Sequence, residues 1–305
     1  MERIPVVADD GVALHAAACG RDDGPALLFL HEFGGDHRSW DAQIAHFARD
    51  YRCIVTAARG YPPSDVPDDD AAYGQARANR DALCVLDAAG VARTHVIGLS
   101  MGGYTALQLA LHHPERCHGV IAAGAGSGAL RDTRDAYLAE TRATAAQLEG
   151  AHRIAAEQIG RGGTRIQLFD KDPLGWAQFV AYLKEHPPRG AARTLRQVQA
   201  LRPSLYDLED GLRAVEVPLL LMVGDEDEPC LDVNLWLKRL MPSAQLAILP
   251  GSGHAVSLEE PALFNTLASR FLTQVERGTW RPRNPLAKVG TATSLLQIDP
   301  EAAAT

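Results

Sequence analysis

The chain has 305 residues, of which 46% are hydrophobic and 22% charged, and its formal net charge is −8. These are ordinary globular proportions that exclude extended disorder, and the acidic balance offers no basic surface for nucleic acid. The length allows one large domain or a core with an insertion, and the expected partner is a small-molecule substrate.

The five cysteines stand far apart in the sequence, without the close pairs of metal or redox motifs. They predict free thiols in a reducing cytoplasm, and neither a metal nor a cofactor is implied. The first 20 residues contain no signal-like apolar run, and no apolar stretch approaches 18 residues. We therefore expect a cytoplasmic protein that does not enter membranes, of unspecified oligomeric state.

Eight apolar runs separated by turn signals predict eight strands. The first two, Ile4 to Ala8 and Val12 to Cys19, flank an Asp-Asp-Gly turn and predict an N-terminal antiparallel hairpin. The other six are continuous apolar runs, as expected for strands covered on both faces: 26–30, 53–55, 95–97, 120–122, 219–223 and 246–249. Helical patterns separate most of them. The predicted fold class is α/β, with a mostly parallel eight-stranded sheet and helices on both faces.

The alternation of strand and helix is interrupted between residues 129 and 213. Arg-, Ala- and Gln-rich segments there contain no convincing buried strand. An inserted helical subdomain fits this segment best, with residues 1–128 and 214–278 forming the core. Residues 279–305 are polar and rich in small residues, which is typical of an arm or a frayed C-terminal tail.

A nucleophile elbow is predicted at residues 98–102, which read Gly-Leu-Ser-Met-Gly. A serine hydroxyl is a poor nucleophile unless a strained, exposed turn presents it to a base, and a Gly two residues to either side lets strand and helix pack closely there. The string alone is a weak signal, but Ser100 lies between an apolar run and a helical pattern. Ser127 and Ser252 are also followed by Gly, but neither has a Gly two residues earlier and neither lies between an apolar run and a helical pattern. Ser100 is therefore the candidate nucleophile.

A nucleophilic serine needs a base and an acid from later loops of the chain. His254 follows an apolar run on a Gly-rich loop and is the candidate base. The turn after the preceding strand, 224–229, offers four carboxylates, of which Asp227 is preferred as the acid. Asp225 remains the alternative.

These segments together resemble the α/β-hydrolase fold, in its capped esterase and epoxide-hydrolase-like branch, over roughly residues 6–275. The matching segments are His31-Glu32-Phe33-Gly34-Gly35 with Trp40, Arg59-Gly60-Tyr61 with Ser64, 98–102, 224–227, and Gly253-His254 followed by 258–261. The resemblance implies a nucleophile after the fifth strand, an acid three residues after a Gly, and a lid formed by the insertion. It also implies an oxyanion hole made by the backbone N–H groups of Phe33 and Met101.

The chain departs from the family pattern at Glu32, where Gly is common, and at Ala58, where relatives often carry Asp. Three roles are open for Glu32: its side chain points into solvent, it holds its loop by local hydrogen bonds, or it takes part in chemistry or substrate selection. A carboxylate aimed into the oxyanion hole would oppose a growing negative charge. Together with Glu32, the insertion's Trp176 and Phe179 are candidate pocket residues, although aromatic side chains there also serve simply to pack the subdomain.

The predicted function is a serine hydrolase acting on a small carboxylic ester or lactone through an acyl-enzyme. Serine at the elbow argues against dehalogenase or epoxide-hydrolase chemistry, since the relatives doing those reactions use Asp. One alternative is hydrolysis of a carbon–carbon bond in a ring-cleavage dienoate, which would need a cation from the insertion; four arginines are available, at 131, 134, 161 and 165, with solvent exposure expected. The other alternative is a ligand-binding member of the fold with little turnover, favoured only by Glu32.

Overall fold

Eight strands form one sheet in the computed structural model of the protein, which describes residues 1–284. In chain order they are β1 Glu2–Val7, β2 Ala13–Gly20, β3 Ala26–Leu30, β4 Arg52–Ala57, β5 Thr94–Leu99, β6 Cys117–Ala123, β7 Leu219–Gly224 and β8 Ala244–Leu249. Their order in space is β1-β2-β4-β3-β5-β6-β7-β8. Every predicted strand is found, and the predicted fold class is confirmed.

The sheet is antiparallel at one end and parallel elsewhere. β1 pairs with β2, and β2 with β4, in antiparallel register, whereas β3 to β8 pair in parallel. Parallel strands carry their carboxyl ends to one edge of the sheet, where α/β folds hold their ligands. The loops that follow β3, β5, β7 and β8 therefore meet at that edge.

Helices cover both faces of the sheet. They are α1 Asp41–Phe47, α2 Gln75–Ala88, α3 Met101–His112, α4 Arg134–Glu149, α5 Ala156–Gly160, α6 Ile166–Lys171, α7 Pro173–Leu183, α8 Pro188–Arg193, α9 Glu209–Arg213, α10 Glu228–Leu240, α11 Val256–Glu259 and α12 Pro261–Glu276. Short 3-10 helices lie at His37–Trp40, Asp70–Ala72, Pro114–Arg116, Arg131–Thr133 and Leu205–Leu208, and a π-helical segment spans Thr194–Gln199.

The two faces of the sheet form separate apolar layers, which explains the continuous apolar runs in the sequence. Leu28 packs with side chains of α2, α3 and α10, whereas its neighbours Leu27 and Phe29 pack with α1 and α12 on the opposite face. All three are completely buried. Burying one such side chain is worth about 1.5–3 kcal/mol, so both layers fix the strands that carry the candidate site.

Strand β8 departs from the expected burial on both faces. It forms the last strand of the sheet, and its Ile248 is 44% exposed. An apolar run does not distinguish an edge strand from a central one, because the pattern records hydrophobicity and not the number of neighbouring strands.

Residues 129–213 are all described and contain helices α4 to α9 without a strand. A small apolar cluster holds this segment together, with Leu148, Leu168, Phe179 and Leu183 among its buried members. We refer to the segment as the cap. That the cap is a subdomain separate from the core of residues 1–128 and 214–278 stays a prediction.

The first residues after α12 pack against the core. The indole N–H of Trp280 donates to the Ser243 carbonyl at 2.9 Å, and its ring meets Phe271 edge-on at 4.7 Å. The rest of the predicted tail, 285–305, lies outside the described residues. Among the residues that the structure describes, no helix has the length and apolarity needed to cross a membrane.

A buried histidine makes the stability of this fold dependent on pH. His95 in β5 is 2% exposed, and burial, with His118 and Arg93 nearby, lowers its pKa to about 3 despite Glu276 Oε1 at 3.6 Å. An unfolded histidine has a pKa near 6.5. The folded pKa is the lower one, so the stability from neutral His95 is present above about pH 6.5 and is lost as the pH falls toward 3.

We therefore expect the free energy of unfolding to decrease between pH 7 and pH 5, with His95 contributing up to about 1.4 kcal/mol for each pH unit. Urea denaturation at pH 7, 6 and 5 measures the slope in the parent and in His95→Gln. The variant should show a shallower slope. An identical slope in both proteins would contradict this assignment.

Candidate active site

Ser100 occupies a strained turn between β5 and α3. Its φ is +54° and its ψ −108°, and among the described residues no other non-glycine residue has a positive φ. Such a conformation costs on the order of 1–3 kcal/mol and persists only where the surrounding structure imposes it. Strain of this kind is the geometry that a nucleophile elbow requires.

The two glycines of the pentapeptide are required by close backbone packing. A Cβ on Gly98 would lie closer than 3.0 Å to the Gly102 carbonyl, and a Cβ on Gly102 closer than 3.0 Å to the Leu30 carbonyl at the end of β3. Glycine at both positions lets the start of α3 rest against the ends of β3 and β5. This contact imposes the turn at Ser100.

His254 reaches Ser100 from the loop after β8. Its Nε2 lies 2.7 Å from Ser100 Oγ, and the imidazole is buried while Ser100 is partly exposed. Two side chains that are 154 residues apart in the sequence thus lie within hydrogen-bond distance of each other.

Asp227, in the turn after β7, contacts the other ring nitrogen of His254. Asp227 Oδ2 lies 2.9 Å from His254 Nδ1, and the carboxylate is 3% exposed. An ionised carboxylate only accepts hydrogen bonds, so Nδ1 carries the proton and Nε2 is left to accept from the serine hydroxyl. The structure therefore brings the three predicted side chains into one chain of hydrogen bonds.

Asp225, the alternative acid, binds the backbone of the histidine loop instead. Its Oδ1 accepts the Ser252 N–H at 3.0 Å, and the N–H groups of Gly251 and Ser252 lower the pKa of its carboxyl. Glu259 supports the same loop, because its carboxylate accepts the N–H groups of residues 253 and 255 at 2.6 and 2.9 Å. No role was predicted for Glu259, which clamps the backbone on both sides of His254.

The two expected oxyanion donors follow β3 and β5. Met101 is the first residue of α3, so its N–H has no partner four residues earlier within the helix. Phe33 lies on the loop that His31 fixes: His31 Nδ1 donates to the Glu32 carbonyl at 2.8 Å, and His31 Nε2 accepts the Ala58 N–H at 3.0 Å. Burial lowers the pKa of His31 and keeps it neutral for both bonds.

Comparison with known proteins bears on this arrangement. The sequence model of the α/β-hydrolase fold family matches residues 25–261 of this chain. The chain belongs to the α/β-hydrolase fold family. Its sequence is 26% identical over 267 residues to 3-oxoadipate enol-lactonase 1 of Acinetobacter baylyi, covering 87% of this chain and 95% of the relative.

Two solved structures extend the comparison. A hydrolase from Pseudomonas aeruginosa PA01 is 25% identical, with a TM-score of 0.77, and the match covers 88% of this chain and 98% of that one. Est816, described as an N-acyl homoserine lactone degrading enzyme, is 28% identical with a TM-score of 0.68, covering 88% and 100%. The family and these relatives support an enzyme that hydrolyses small molecules, and the predicted resemblance is confirmed.

In this α/β-hydrolase the cap touches the loops that carry the candidate triad. Gln167 donates to Glu226 in the turn after β7, and Lys171 Nζ donates to Ser252 Oγ at 3.2 Å in the loop after β8. Just before α6, Arg165 reaches the loop after β3. The cap thus lies against the loops that follow β3, β7 and β8 at the carboxyl edge of the sheet.

Glu32 is completely buried, so of the three alternatives for its side chain the one that points into solvent is wrong. Gly35 makes room for it, since a Cβ there would lie closer than 3.0 Å to the Glu32 carboxyl carbon. Ser39 Oγ and Arg165 Nη2 donate to Glu32 Oε1 at 3.4 and 3.3 Å. Arg165 was expected to be exposed, but it is 3% exposed, because it inserts between the cap and the loop after β3.

The two predicted pocket aromatics have different environments. Phe179 lines a cavity between cap and core, together with Leu168, Tyr182 and Leu258. Trp176 packs inside the cap, where its indole donates to the Gly160 carbonyl at 2.6 Å. The lining of this cavity does not include Ser100 or His254, so a role for Phe179 in the substrate pocket stays a prediction, whereas Trp176 has a packing role.

A buried thiol adjoins the triad, and the sequence spacing did not reveal it. Cys230 Sγ lies 3.9 Å from His254 Nδ1, and one ligand atom each of Asp227, Cys230 and His254 lies within 4.8 Å of the others. Burial, with Asp227 nearby, raises the pKa of the Cys230 thiol well above its usual value. A metal would require the thiolate, whereas Asp227 and His254 already bind each other, so the arrangement fits a triad better than a metal site.

Proposed function

We propose that the protein is a serine hydrolase of small carboxylic esters or lactones that works through an acyl-enzyme. The observation that carries this proposal is the hydrogen-bond chain from Asp227 through His254 to Ser100, with distances of 2.9 and 2.7 Å, on a serine held in a strained turn. This constellation activates an alcohol for attack on a trigonal carbon.

In the first half-reaction, His254 Nε2 takes the hydroxyl proton as Ser100 Oγ bonds to the acyl carbon. The carbonyl oxygen becomes an oxyanion that accepts from the Phe33 and Met101 N–H groups. Collapse of this intermediate breaks the bond to the leaving oxygen, which receives the proton from His254. In a lactone the leaving oxygen stays attached to the acyl chain, so no fragment departs.

In the second half-reaction, water donates a proton to His254 Nε2 and attacks the acyl carbon. The oxyanion forms again in the same hole, and its collapse returns the proton to Ser100 Oγ and frees the acid. Asp227 stays ionised throughout, holding the ring in the productive tautomer and stabilising the imidazolium. No group beyond these residues and water is needed to balance either step.

Esters and lactones are preferred to carbon–carbon substrates because three of the four cap arginines that could supply the cation are already engaged. Arg165 pairs with Glu32, Arg134 donates to the Gly128 and Arg202 carbonyls, and Arg161 stacks on Phe169. A ring-cleavage dienoate would need a cation free to bind its carboxylate. The enol-lactonase and lactone-degrading relatives favour the lactone branch.

The ligand-binding alternative loses its one supporting feature for a similar reason. It depended on Glu32 facing the oxyanion hole as an unopposed charge, whereas Arg165 Nη2 lies 3.3 Å from the carboxylate. With the charge opposed, the site suits turnover.

Acid release from a panel of short acyl esters and lactones tests the proposal. We expect turnover by the parent and a loss of at least about 10³-fold in Ser100→Ala, with the melting temperature of the variant close to that of the parent. Equal inertness of both proteins toward the whole panel, while a panel compound raises both melting temperatures, would favour a binding protein instead.

A further inference from the structure

A buried ion pair joins the cap to the loop that supplies one expected oxyanion donor. Arg165 and Glu32 are 133 residues apart in the chain, yet Arg165 Nη2 lies 3.3 Å from Glu32 Oε1, with side chains 3% and 0% exposed. Glu32 Oε2 has no hydrogen-bond partner among the described residues. Ser39 supplies the other contact to the carboxylate. Arg165 is thus the cation that opposes this buried negative charge.

The same guanidinium also holds the backbone beside Glu32. Arg165 Nη2 lies 3.4 Å from the Phe33 carbonyl, and Nη1 donates to the Thr164 carbonyl at 2.7 Å. The guanidinium carbon stands 4.8 Å from the centre of the Phe179 ring, within the range of a cation–π contact. One side chain therefore touches the Glu32 carboxylate and the peptide that follows Phe33, so it braces Phe33 on both sides.

We propose that Arg165 is a positioning residue of the oxyanion hole: it offsets the charge of Glu32 and fixes the Phe33 peptide, so that the hole can accept a developing negative charge. This inference rests on the proposed function. It also explains how this chain accommodates Glu32 where Gly is common in the family, because Arg165 balances the charge of the carboxylate.

The reason is electrostatic. In a buried site an unopposed carboxylate near a forming oxyanion repels it strongly, because the low local dielectric weakens screening. A buried ion pair is also sensitive to the loss of one partner, since the remaining charge is left uncompensated. Removing Arg165 alone should therefore slow the chemical step, whereas removing both charges should restore much of it.

A double-mutant cycle that neutralises each of the two charges tests this proposal. kcat and KM for one ester or lactone substrate are measured for the parent, Arg165→Met, Glu32→Gln and the double variant, with Arg165→Lys as the conservative replacement. We expect Arg165→Met to lower kcat at least tenfold with KM changed less than threefold, and Glu32→Gln alone to lower kcat less than threefold. Introducing Glu32→Gln into Arg165→Met should raise kcat at least fivefold, and Arg165→Lys should retain more activity than Arg165→Met.

Arg161→Met is the matched control, because Arg161 lies in the same cap segment but stacks on Phe169; its kcat should stay within twofold of the parent. Parental kcat in Arg165→Met, or a loss that Glu32→Gln does not relieve, would overturn the proposal. A fall in the melting temperature of Arg165→Met together with a rise in KM as large as the loss in kcat would also overturn it, because that pattern marks a displaced cap and not a slower chemical step. A parent enzyme without turnover would instead contradict the proposed function, so the two failures are distinguishable.

Discussion

Asp227→Asn is expected to lower kcat by about 10⁴-fold, with little change in the melting temperature. The Asn amide can donate to His254 Nδ1, now 2.9 Å from the carboxylate, and so favours the tautomer that carries its proton on Nε2. That tautomer cannot accept the proton of Ser100. A loss of this size follows from a wrong tautomer in triads of this geometry.

Asp225→Asn is the matched control, two residues earlier in the same turn. An amide oxygen can still accept the Ser252 N–H that Asp225 binds at 3.0 Å. We expect a loss below about tenfold, the equivalent of weakening one hydrogen bond. Measurement of kcat/KM and of the melting temperature for both variants decides between the two acids. Abolished activity in Asp225→Asn with near-parental activity in Asp227→Asn would reverse the assignment.

Gly102→Ala is expected to destabilise the fold by more than about 4 kcal/mol, or to prevent folding altogether. The added Cβ would lie closer than 3.0 Å to the Leu30 and His31 carbonyls. Both are backbone atoms at the end of β3, so relief requires α3 to move away from the sheet. Losses above 4 kcal/mol are exceptional and arise from steric conflict of this kind.

Gly150→Ala is the control for that substitution. Gly150 ends α4 with ordinary helical angles, and the one neighbour near an added Cβ would be a carbonyl 4.0 Å away. We expect a neutral effect or a gain of up to about 1 kcal/mol. Urea denaturation and the yield of folded protein measure both. Near-parental stability of Gly102→Ala would show that the elbow tolerates a wider separation of helix and sheet.

The parts of the fold that the sequence predicted are those encoded locally. Each central parallel strand is buried on both faces and so leaves a continuous apolar run, as in Leu219 to Val223 of β7. The elbow is encoded locally in part, because Gly98 packs against Gly102 within the same pentapeptide, whereas Gly102 makes room for Leu30 at the end of the distant strand β3. His254 and Asp227 could be proposed because their loops follow recognisable strands.

The parts that the sequence missed depend on contacts between distant segments. Arg165 shows no local sign of burial, since its partners Glu32 and Phe33 lie more than 130 residues away. The one signal present was Gly35, whose missing side chain makes room for Glu32. The sequence likewise contains no signal that Cys230 lies beside the triad, because its approach to His254 depends on how α10 packs beside the histidine loop.

Covalent labelling by a fluorophosphonate tests the central claim most directly, because it reports an activated serine without requiring the natural substrate. We predict stoichiometric modification of the parent, located by mass spectrometry on the peptide that contains Ser100, and greatly slowed labelling in His254→Ala. No modification should occur in Ser100→Ala. Folded parent protein that resists the reagent, or that carries the label on another residue, would contradict the account.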